Sequence, residues 1–512
     1  MNQLIPLFVA VPLAGGFLIM ILGKFLRDLN KILASLTLLF LLAASLVLII
    51  HTGKNVLVYK VGGWEPINGI PVGIYMVADG LSCLVVCIIN IVGLLSVVYS
   101  ISYISRYTSE NTYYSLFCLM VAGMNGVVLS GDLFNIFVFL EISAIASYAL
   151  VAFGVGMTEL EATFKYQVLG GLASGIILFG IAFIYWRTKT LNIADIRIAM
   201  GSSPDRTLYT LVQMFLLCGF GLKAAVIPFH AWLPDAHSSA PSPISAMLSG
   251  VLIKAVGIYV LIRLFFNMFL ISNEVAVLIT TLGALSMVLG VLLAIGQWDI
   301  KRLLAYHSIS QMGYVILSVG MGMILIARGI KPEIAALAIA GGLFHLINHA
   351  AFKSLLFLNA GAIEYRTGTR NLKEMGGLAG LMPATSSTSL IASMSISGVP
   401  PFNGFFSKLI IIVAAIMAKF YLLAVIAVLV SIITLASFLK FQRYAFYNKT
   451  VEKTENSPRE VPFPMVLSMV ALGLMCILLS LVAIPQIRDA VLTPAVNILV
   501  NTQLYISPIL GM

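Results

Sequence analysis

Charged side chains are scarce in this sequence, and no long polar stretch links separate soluble domains. Only 10% of the 512 residues are charged and 60% are hydrophobic, whereas soluble domains contain about 25% charged and about 45–50% apolar residues. No soluble fold of this length can hide so much apolar surface. The composition therefore predicts an all-α integral membrane protein that forms one domain.

Several functional signatures are also missing. There is no P-loop, no dinucleotide fingerprint and no cysteine set spaced for a haem or an iron–sulfur cluster, so we expect no cofactor. The five cysteines lie in apolar stretches without a CxxC pair, which is typical of packing residues. No basic segment with interleaved aromatic residues is present to bind nucleic acid. The net charge of +10 therefore indicates basic loops at a membrane surface.

The first apolar segment, residues 4–22, has no Lys or Arg before it. A signal peptide begins with a positively charged region, so we interpret this segment as a retained first helix whose N-terminus lies outside the cell.

Long apolar runs dominate the chain. A hydrocarbon core about 30 Å thick needs roughly 20 apolar residues per helix, and the sequence predicts about fourteen spans. Their predicted bounds are 3–23, 30–51, 73–100, 113–130, 132–154, 163–186, 207–227, 242–268, 275–296, 302–325, 335–363, 384–418, 421–445 and 463–485. The predicted divisions are 1–110 (helices 1–3), 111–270 (helices 4–8), 271–447 (helices 9–13) and 448–512 (a loop, helix 14 and a C-terminal tail).

The Lys and Arg residues between the spans predict the orientation, because cytoplasmic loops are enriched in them. The richer set of connections carries Lys24, Arg27, Lys31, Arg106, Lys301, Arg302, Arg366, Arg370, Lys373, Lys440, Arg443, Lys449, Lys453 and Arg459. The poorer set includes Lys54, Lys60, Arg187, Lys189, Arg197, Arg206, Arg328 and Lys331. We expect the richer face to be cytoplasmic and both termini to lie outside.

Two spans contain prolines at membrane depth. Pro228 lies at the end of span seven, and Pro400 and Pro401 follow Gly398 in span twelve. Proline removes a backbone donor and clashes with the preceding turn, so both helices are predicted to be broken. A membrane tolerates unwound backbone only where protein or a water-filled cavity surrounds it. A simple kink is the alternative for either span.

The two breaks belong to an internal repeat. Residues 226–232 match residues 399–405 at an offset of 173, and two further pairs of segments match at offsets of 166 and 180. Glu141 aligns with His307, and Lys165 aligns with His345. Each unit has five helices, spans 4–8 and 9–13, and an odd number of crossings makes successive copies start on opposite sides. This pattern predicts the inverted repeats of secondary transporters.

Five lysines lie well inside predicted spans, where we place no arginine: Lys165, Lys223, Lys254, Lys353 and Lys408. Each would cost about 2.5–3.5 kcal/mol if it faced lipid. A buried ammonium can release its proton, whereas a guanidinium stays charged. The use of lysine therefore predicts proton transfer.

Glu141 is the one carboxylate that we place well inside a span. A lone buried carboxylate is either protonated or paired with a cation. Lys223, near the break in span seven, is its predicted partner. A static pair that only joins two helices is the alternative, but it leaves the other four lysines unexplained.

Span eleven carries His345, His349 and Lys353 at positions i, i+4 and i+8, which places them on one helix face. Histidine exchanges protons near neutral pH, so this face suits a relay. Two histidines four residues apart also suit zinc, but no acid follows the first and no third ligand is nearby, so we expect no metal.

A turn-rich loop after span seven contains His230 and His237. We predict that this loop caps span seven and starts span eight, with both histidines at a water-accessible mouth. Together with Lys165 and His307, they are predicted supporting residues.

The residues from Lys223 to His237 and from Ala240 to Ala246 resemble the antiporter-like subunits of respiratory complex I and of Mrp-type multisubunit cation/proton antiporters. Residues 301–313 and 345–353 carry the same resemblance, which runs from about residue 75 to residue 445. Lysine rather than glutamate at position 408, and a chain that ends soon after span fourteen, are most similar to the D-type subunit of Mrp antiporters and to its counterpart in archaeal membrane-bound hydrogenase-type complexes.

The resemblance implies that Glu141 and Lys223 form the pair through which a proton enters. It implies that Lys254 and the histidines of span eleven form a central relay, and that Lys408 is the exit residue. It also implies a subunit in the plasma membrane of a prokaryote, surrounded by lipid. Its implied partners are other antiporter-like subunits, small Mrp-type subunits, and a hydrogenase or quinone-reductase module in the complexes that have one.

We therefore predict a subunit that translocates H+ or exchanges it for Na+ and catalyses no reaction on its own. The alternative is a structural subunit whose buried charges transmit conformational or electrostatic coupling while ions move in a neighbouring subunit. A transporter of organic anions would need arginines at the membrane midplane, and none is predicted there.

Overall fold

The computed structural model describes residues 1–25, 28–53, 55–64, 71, 73–107, 109–202, 205–448 and 459–511. Arg27, Lys54, Lys449 and Lys453, which contributed to the charge comparison of the two faces, lie outside the described residues. Residues 449–458 of the loop predicted before helix 14 lie outside them as well.

The fold is helical apart from one small sheet. The helices are α1 (Leu7–Leu22), α2 (Leu29–Thr52), α3 (Gly80–Tyr103), α4 (Glu110–Leu129), α5 (Leu133–Val151), α6 (Met157–Thr188), α7 (Ile193–Ser202), α8 (Arg206–Lys223), α9 (Trp232–Ser239), α10 (Ser242–Met268), α11 (Asn273–Ile295), α12 (Ile300–Ala327), α13 (Pro332–Thr367), α14 (Pro383–Ser397), α15 (Asn403–Met417), α16 (Tyr421–Gln442), α17 (Phe463–Leu478), α18 (Pro485–Val491), α19 (Thr493–Val500) and α20 (Gln503–Leu510). The strands are β1 (Leu57–Lys60) and β2 (Tyr75–Ala78).

Twelve helices of the described chain are long and apolar enough to cross a membrane: α1 to α6, α10 to α13, α16 and α17. The chain is therefore an all-helical, multi-pass membrane protein, as its composition predicts. The segments predicted as spans seven and twelve are instead two pairs of shorter helices, α8 with α9 and α14 with α15.

Both interruptions lie beside the predicted prolines. Helix α8 ends at Lys223, the backbone turns at Ala225 with φ 54°, and α9 begins only at Trp232. Helix α14 ends at Ser397, and Gly398 follows with φ 79° before α15 begins. Span seven was predicted to end at residue 227, which was wrong, because the second half of the broken helix lies beyond it.

The predicted third span was wrong at its start. Residues 75–78 form β2, which pairs antiparallel with β1. Asp79 then begins α3, because its carboxylate accepts hydrogen bonds from the backbone N–H groups of Leu81 (3.0 Å) and Ser82 (2.9 Å). Hydropathy cannot separate a short buried strand from the helix that continues it.

Small residues let the long helices approach closely. A Cβ added at Gly313 of α12 would lie 2.3 Å from the backbone nitrogen of Met287 in α11, and one at Gly283 would lie 2.4 Å from that of Leu317. In lipid the hydrophobic effect does not drive helices together, and close packing of this kind drives their association instead. These contacts hold α11 closely against α12, which carries His307 and Gln311.

Candidate functional site

Lys223 and Glu141 lie together where α8 ends. Lys223 is buried, and its Nζ is 3.6 Å from Glu141 Oε1. The hydroxyl of Ser174 in α6 donates a hydrogen bond to the same carboxylate oxygen. The side chain of Glu141 remains 30% exposed on the surface of the chain. The break after α8 thus places an ammonium against a carboxylate that reaches the edge of the bundle.

Lys254 lies in α10, whose backbone widens into π-helical turns at Leu248–Leu252 and Lys254–Tyr259. A π turn shifts the usual hydrogen-bond register and frees carbonyl groups. The buried Nζ of Lys254 donates to the carbonyl of Ser249 at 2.6 Å and also to that of Gly250. The helix therefore solvates its own ammonium group.

Helix α13 carries the predicted histidines on a fully buried face. Nδ1 of His345 lies 3.0 Å from Ser407 Oγ, and its Nε2 lies 3.2 Å from Gln311 Oε1. Neither ring nitrogen of His349 has a hydrogen-bond partner within the described residues. His345 is thus fixed between α12 and α15, whereas both ring nitrogens of His349 are left without a partner among the described residues.

Two further lysines donate hydrogen bonds only to neutral oxygen atoms. Lys353 is fully buried and donates to the carbonyl of Leu304 in α12. Lys408 in α15 is 3% exposed and donates to the carbonyl of Ile396 at 2.8 Å and to Ser431 Oγ at 3.2 Å. Among the described residues, neither ammonium group has a carboxylate within ion-pair distance.

Helix α13 connects these groups. Its Ser354 donates to the carbonyl of Ala246 in α10 at 3.2 Å, and its Asn348 donates to the carbonyl of Asn403 in α15 at 2.9 Å. The helix that carries His345, His349 and Lys353 therefore touches the helices that carry Lys254 and Lys408.

A second contact connects the Glu141 pair to α10. A Cβ added at Gly257 would lie 2.6 Å from Cβ of Ala224, the residue after Lys223. Gly257 is three residues beyond Lys254. The structure thus brings Glu141, Lys223, Lys254, the α13 residues and Lys408 into one row of adjacent helices.

Lys165 does not belong to this row. Its side chain is 45% exposed and forms ion pairs with Glu161 (2.7 Å) and Asp235 (3.0 Å). The prediction that it is one of the buried lysines was wrong, because α6 begins at Met157 and presents Lys165 near its N-terminal end.

The two loop histidines differ. His230 is half-buried and lies 3.3 Å from the carbonyl oxygen of Pro228 through Nδ1. His237 is fully buried, and its ring packs edge-on against Phe357 at 5.6 Å between centroids. The prediction of a water-accessible mouth was therefore wrong for His237, because α9 folds back into the bundle. His307 is also fully buried, with Nε2 2.8 Å from Ser437 Oγ.

A buried ion pair was missed. Arg263 in α10 and Asp79 are 2% and 0% exposed, and Arg263 Nη1 lies 2.7 Å from Asp79 Oδ2. Arg263 Nη2 donates to Asp79 Oδ1 at 2.8 Å, and the guanidinium lies 4.8 Å from the ring centre of Tyr505. Arg263 falls inside the predicted span 242–268, so the statement that no arginine lies within a span was wrong.

Two charges assigned to loops are also partly enclosed. Lys301 is 2% exposed and lies 3.1 Å from Glu364 Oε2. Asp235 binds Arg302 at 2.7 Å as well as Lys165, so it joins α9 to α6 and α12. The spacing of Glu161 and Lys165, four residues apart, was the sequence signal for the surface pairing. No group of three His, Cys, Asp or Glu side chains in the described ranges is placed to hold a metal ion.

A bundle of apolar helices that encloses a row of lysines and histidines belongs to the class of ion-translocating membrane proteins. Comparison with known proteins identifies the family to which the chain belongs. Residues 130–434 match the family model described as "NADH:quinone oxidoreductase/Mrp antiporter, TM", and residues 64–114 match "NADH-Ubiquinone oxidoreductase (complex I), chain 5 N-terminus". The chain belongs to the NADH:quinone oxidoreductase/Mrp antiporter family.

Three proteins illustrate the similarity. The D-type subunit of the Na(+)/H(+) antiporter of Alkalihalophilus pseudofirmus is 33% identical over 509 residues, which cover 97% of this chain and 99% of that protein. A chain of the Mrp complex from Dietzia sp. DQ12-45-1b superposes with a TM-score of 0.90 at 28% identity and covers 100% of both chains. A chain of the membrane-bound sulfane sulfur reductase, an archaeal respiratory membrane complex, gives a TM-score of 0.88 at 27% identity and covers 99% of this chain and 100% of that one.

Proposed function

We propose that this ion-translocating membrane subunit moves protons along the row from Glu141 and Lys223, through Lys254 and the α13 residues, to Lys408. One contrast carries the proposal. The buried arginine of the domain, Arg263, has a carboxylate partner at 2.7 Å. Lys254 and Lys408 are equally buried, but they donate hydrogen bonds only to carbonyl or hydroxyl oxygens and have no carboxylate partner in the described structure.

This contrast favours a relay over a scaffold. A permanent charge in the interior needs a counter-charge, because desolvation costs several kcal/mol per ion. A lysine can avoid that cost by releasing its proton, which an arginine cannot do. Amines that alternate between the charged and the neutral form need neutral partners such as carbonyl groups, which serve both forms of the side chain.

We propose that the chain crosses the membrane fourteen times. In this count the broken helix α8–α9 and the broken helix α14–α15 each make one crossing. Contacts between connections support this count. On one face Asp299 pairs with Asn371, and Lys31 lies 3.2 Å from Glu110. On the other face Asp132 pairs with Asn192, and Arg328 donates to Asn273 at 2.8 Å. The first face carries the larger share of Lys and Arg, so we assign it to the cytoplasm and both termini to the outside.

We propose that residues 111–270 and 271–447 each contain one five-helix unit and that the two units are inverted relative to each other. An N-terminal part (1–110) precedes them, and a C-terminal part (448–512) follows them. Matched hydrogen bonds support this arrangement. Leu133 N–H donates to the carbonyl of Leu191 at 2.9 Å where α5 begins. Ile300 N–H donates to the carbonyl of Arg370 at 3.1 Å where α12 begins. In the proposed topology these equivalent bridges lie on opposite faces, as an inverted repeat requires.

The proposed route begins at the edge of the chain. Phe134, Val138 and Ile145 are exposed on the same helix as Glu141, so a charged side chain interrupts an apolar surface. A lone carboxylate facing lipid is unfavourable. This supports coverage of that face by a neighbouring subunit, in agreement with the family, whose members are subunits of multisubunit Mrp antiporters and of respiratory membrane complexes. This chain is likewise a subunit of such a multisubunit membrane complex.

The proposal is tested with Lys254→Met, which keeps the length of the side chain and removes the amine. The complex is purified with all its subunits, reconstituted into vesicles, and assayed by the pH change inside them. Lys373→Met, in an exposed loop, is the control. We expect the Lys254 variant to assemble and to lose proton movement, whereas normal movement would favour the structural alternative.

A further inference from the structure

Helix α14 has a hydroxyl-bearing residue at every fourth position of one buried face. Thr385, Ser389, Ser393 and Ser397 are each at most 3% exposed. Residues four apart lie above one another on a helix, so the hydroxyl groups follow the helix axis. From Thr385 to Ser397 the helix rises roughly 18 Å at about 1.5 Å per residue. We name these four residues the hydroxyl column.

One end of the column reaches Lys408. Ser397 Oγ donates to the carbonyl of Ser393 at 2.7 Å. Ser431 Oγ donates to the carbonyl of Ser397 at 2.8 Å and accepts a hydrogen bond from Lys408 Nζ at 3.2 Å. Ser431 therefore connects the proposed exit lysine with the backbone carbonyl of Ser397, at the inner end of the column.

Gln442 of α16 completes the middle of the column. Its Nε2 donates to Ser389 Oγ at 2.9 Å and to Ser393 Oγ at 2.8 Å. Its side chain is 3% exposed, yet its Oε1 has no hydrogen-bond partner within the described residues. A buried, unpartnered amide oxygen beside two hydroxyl groups offers an acceptor for a water molecule.

The other end of the column reaches a carboxylate near the surface. Thr385 Oγ1 donates to Glu460 Oε1 at 2.6 Å. The backbone N–H groups of Ala384 and Thr385 donate to Glu460 Oε2 at 2.8 and 3.2 Å. Glu460 is half-buried, so its carboxylate lies between the column and the solvent.

The matching segment of the first repeat lacks this column. The break after α14 matches the break after α8 at an offset of 173, since Val399 N–H donates to the carbonyl of Met394 as Val226 N–H donates to that of Gly221. At the same offset, the four positions of the column correspond to buried residues without a side-chain hydroxyl in α8 and at its C-cap: Val212, Leu216, Phe220 and Ala224.

We propose that the hydroxyl column and Gln442 form a hydrated proton branch that connects Lys408 with the aqueous face at Glu460. The branch rests on the proposed function of Lys408. A proton passes along it by exchange between hydroxyl groups and water, with no net change in the column. It gives the second half of the protein its own access to the face on which α14 begins, separate from the row through Lys254.

Hydration of the hydroxyl column is tested by the reactivity of introduced thiols in the assembled complex. The native cysteines of this chain are first replaced by serine or alanine. Ser393→Cys is compared with Leu216→Cys, its counterpart in α8, in sealed vesicles exposed to Ag+ on one side at a time. We expect Ser393→Cys to lose its free thiol from the side on which Lys373→Cys also reacts, and Leu216→Cys to stay unreacted. Equal reactivity of the two would overturn the proposal.

Conduction is tested with the combination Ser389→Ala, Ser393→Ala and Gln442→Leu, which keeps size and removes the polar atoms. We expect proton movement to fall several-fold. The variant Lys408→Ala distinguishes failure of the proposed function from failure of the branch alone. Normal transport with Lys408→Ala removes the proposed function. Blocked transport with Lys408→Ala, together with wild-type rates in the combined variant, removes the branch alone.

Discussion

Lys223 and Glu141 form an ion pair without a direct hydrogen bond: Nζ lies 3.6 Å from Oε1, and it has no hydrogen-bond partner within the described residues. Their coupling is therefore Coulombic, and Glu141→Gln removes it without changing the shape of the side chain. We expect transport by the assembled complex to fall severely while the amounts of its subunits stay normal. Glu161→Gln, on the exposed surface of α6, is the control. Undiminished transport with Glu141→Gln contradicts the role of the pair.

Lys408 distinguishes a relay from a scaffold. Arginine at this position keeps the positive charge and roughly the reach, but it does not release a proton. A relay fails with both Lys408→Arg and Lys408→Ala, whereas a scaffold tolerates arginine better than alanine. Proton movement in vesicles measures the difference, and a working arginine variant would return the structural role to first place.

Lys165 and Lys223 should respond differently to alanine. Lys165 is 45% exposed and lies outside the row, whereas Lys223 is buried against Glu141. We expect Lys165→Ala to retain most of the transport and Lys223→Ala to lose it. Similar losses in both variants would place Lys165 back among the residues that carry the ion.

The two breaks should tolerate opposite changes. Ala225 has φ 54°, a conformation that glycine adopts more easily, so we expect Ala225→Gly to be neutral or stabilising by up to ~1 kcal/mol. Gly398 has φ 79°, and an added Cβ would lie 3.0 Å from Lys408 Cδ. Gly398→Ala should therefore lower both the thermal midpoint of the purified complex and transport. A Gly398→Ala complex with an unchanged midpoint would contradict this interpretation of the second break.

The Arg263–Asp79 pair should matter for stability more than for transport chemistry. Removing one partner of a buried pair costs about 3–5 kcal/mol, because the other charge is left unpaired. Asp79→Asn should therefore lower the thermal midpoint markedly. Asp489→Asn breaks the exposed contact with Arg488, 3.4 Å apart, and such contacts contribute about 0–1 kcal/mol. Equal shifts in the two variants would show that the buried pair is not structural.

Structural features that depend on neighbouring residues could be predicted from the sequence. Apolar runs predicted the long helices because lipid demands them over their whole length. Pro228 and Pro401 predicted the interruptions because proline disrupts a helix wherever it occurs in the interior. The Glu141–Lys223 contact was predicted because each buried charge has few possible partners in such an apolar chain.

Contacts between residues far apart in the sequence could not be predicted from it. Asp79 and Arg263 are 184 residues apart, and no periodicity connects them. The second partner of Lys165, Asp235, was not predicted because it comes from α9, 70 residues further along the chain. The π turns around Lys254 were missed because they arise from tertiary packing, which hydropathy does not record.

Helices α18 to α20 have a consequence for how the protein is made. Asn267 donates to the carbonyl of Ile498 at 2.8 Å, and the ring of Tyr505 covers Arg263. Residues 485–510 follow every apolar helix of the described chain in the sequence, including α10, which carries Arg263 and Asn267. The end of α10 that carries Asn267 and the Arg263 guanidinium therefore stays uncovered by this segment until translation has passed Tyr505.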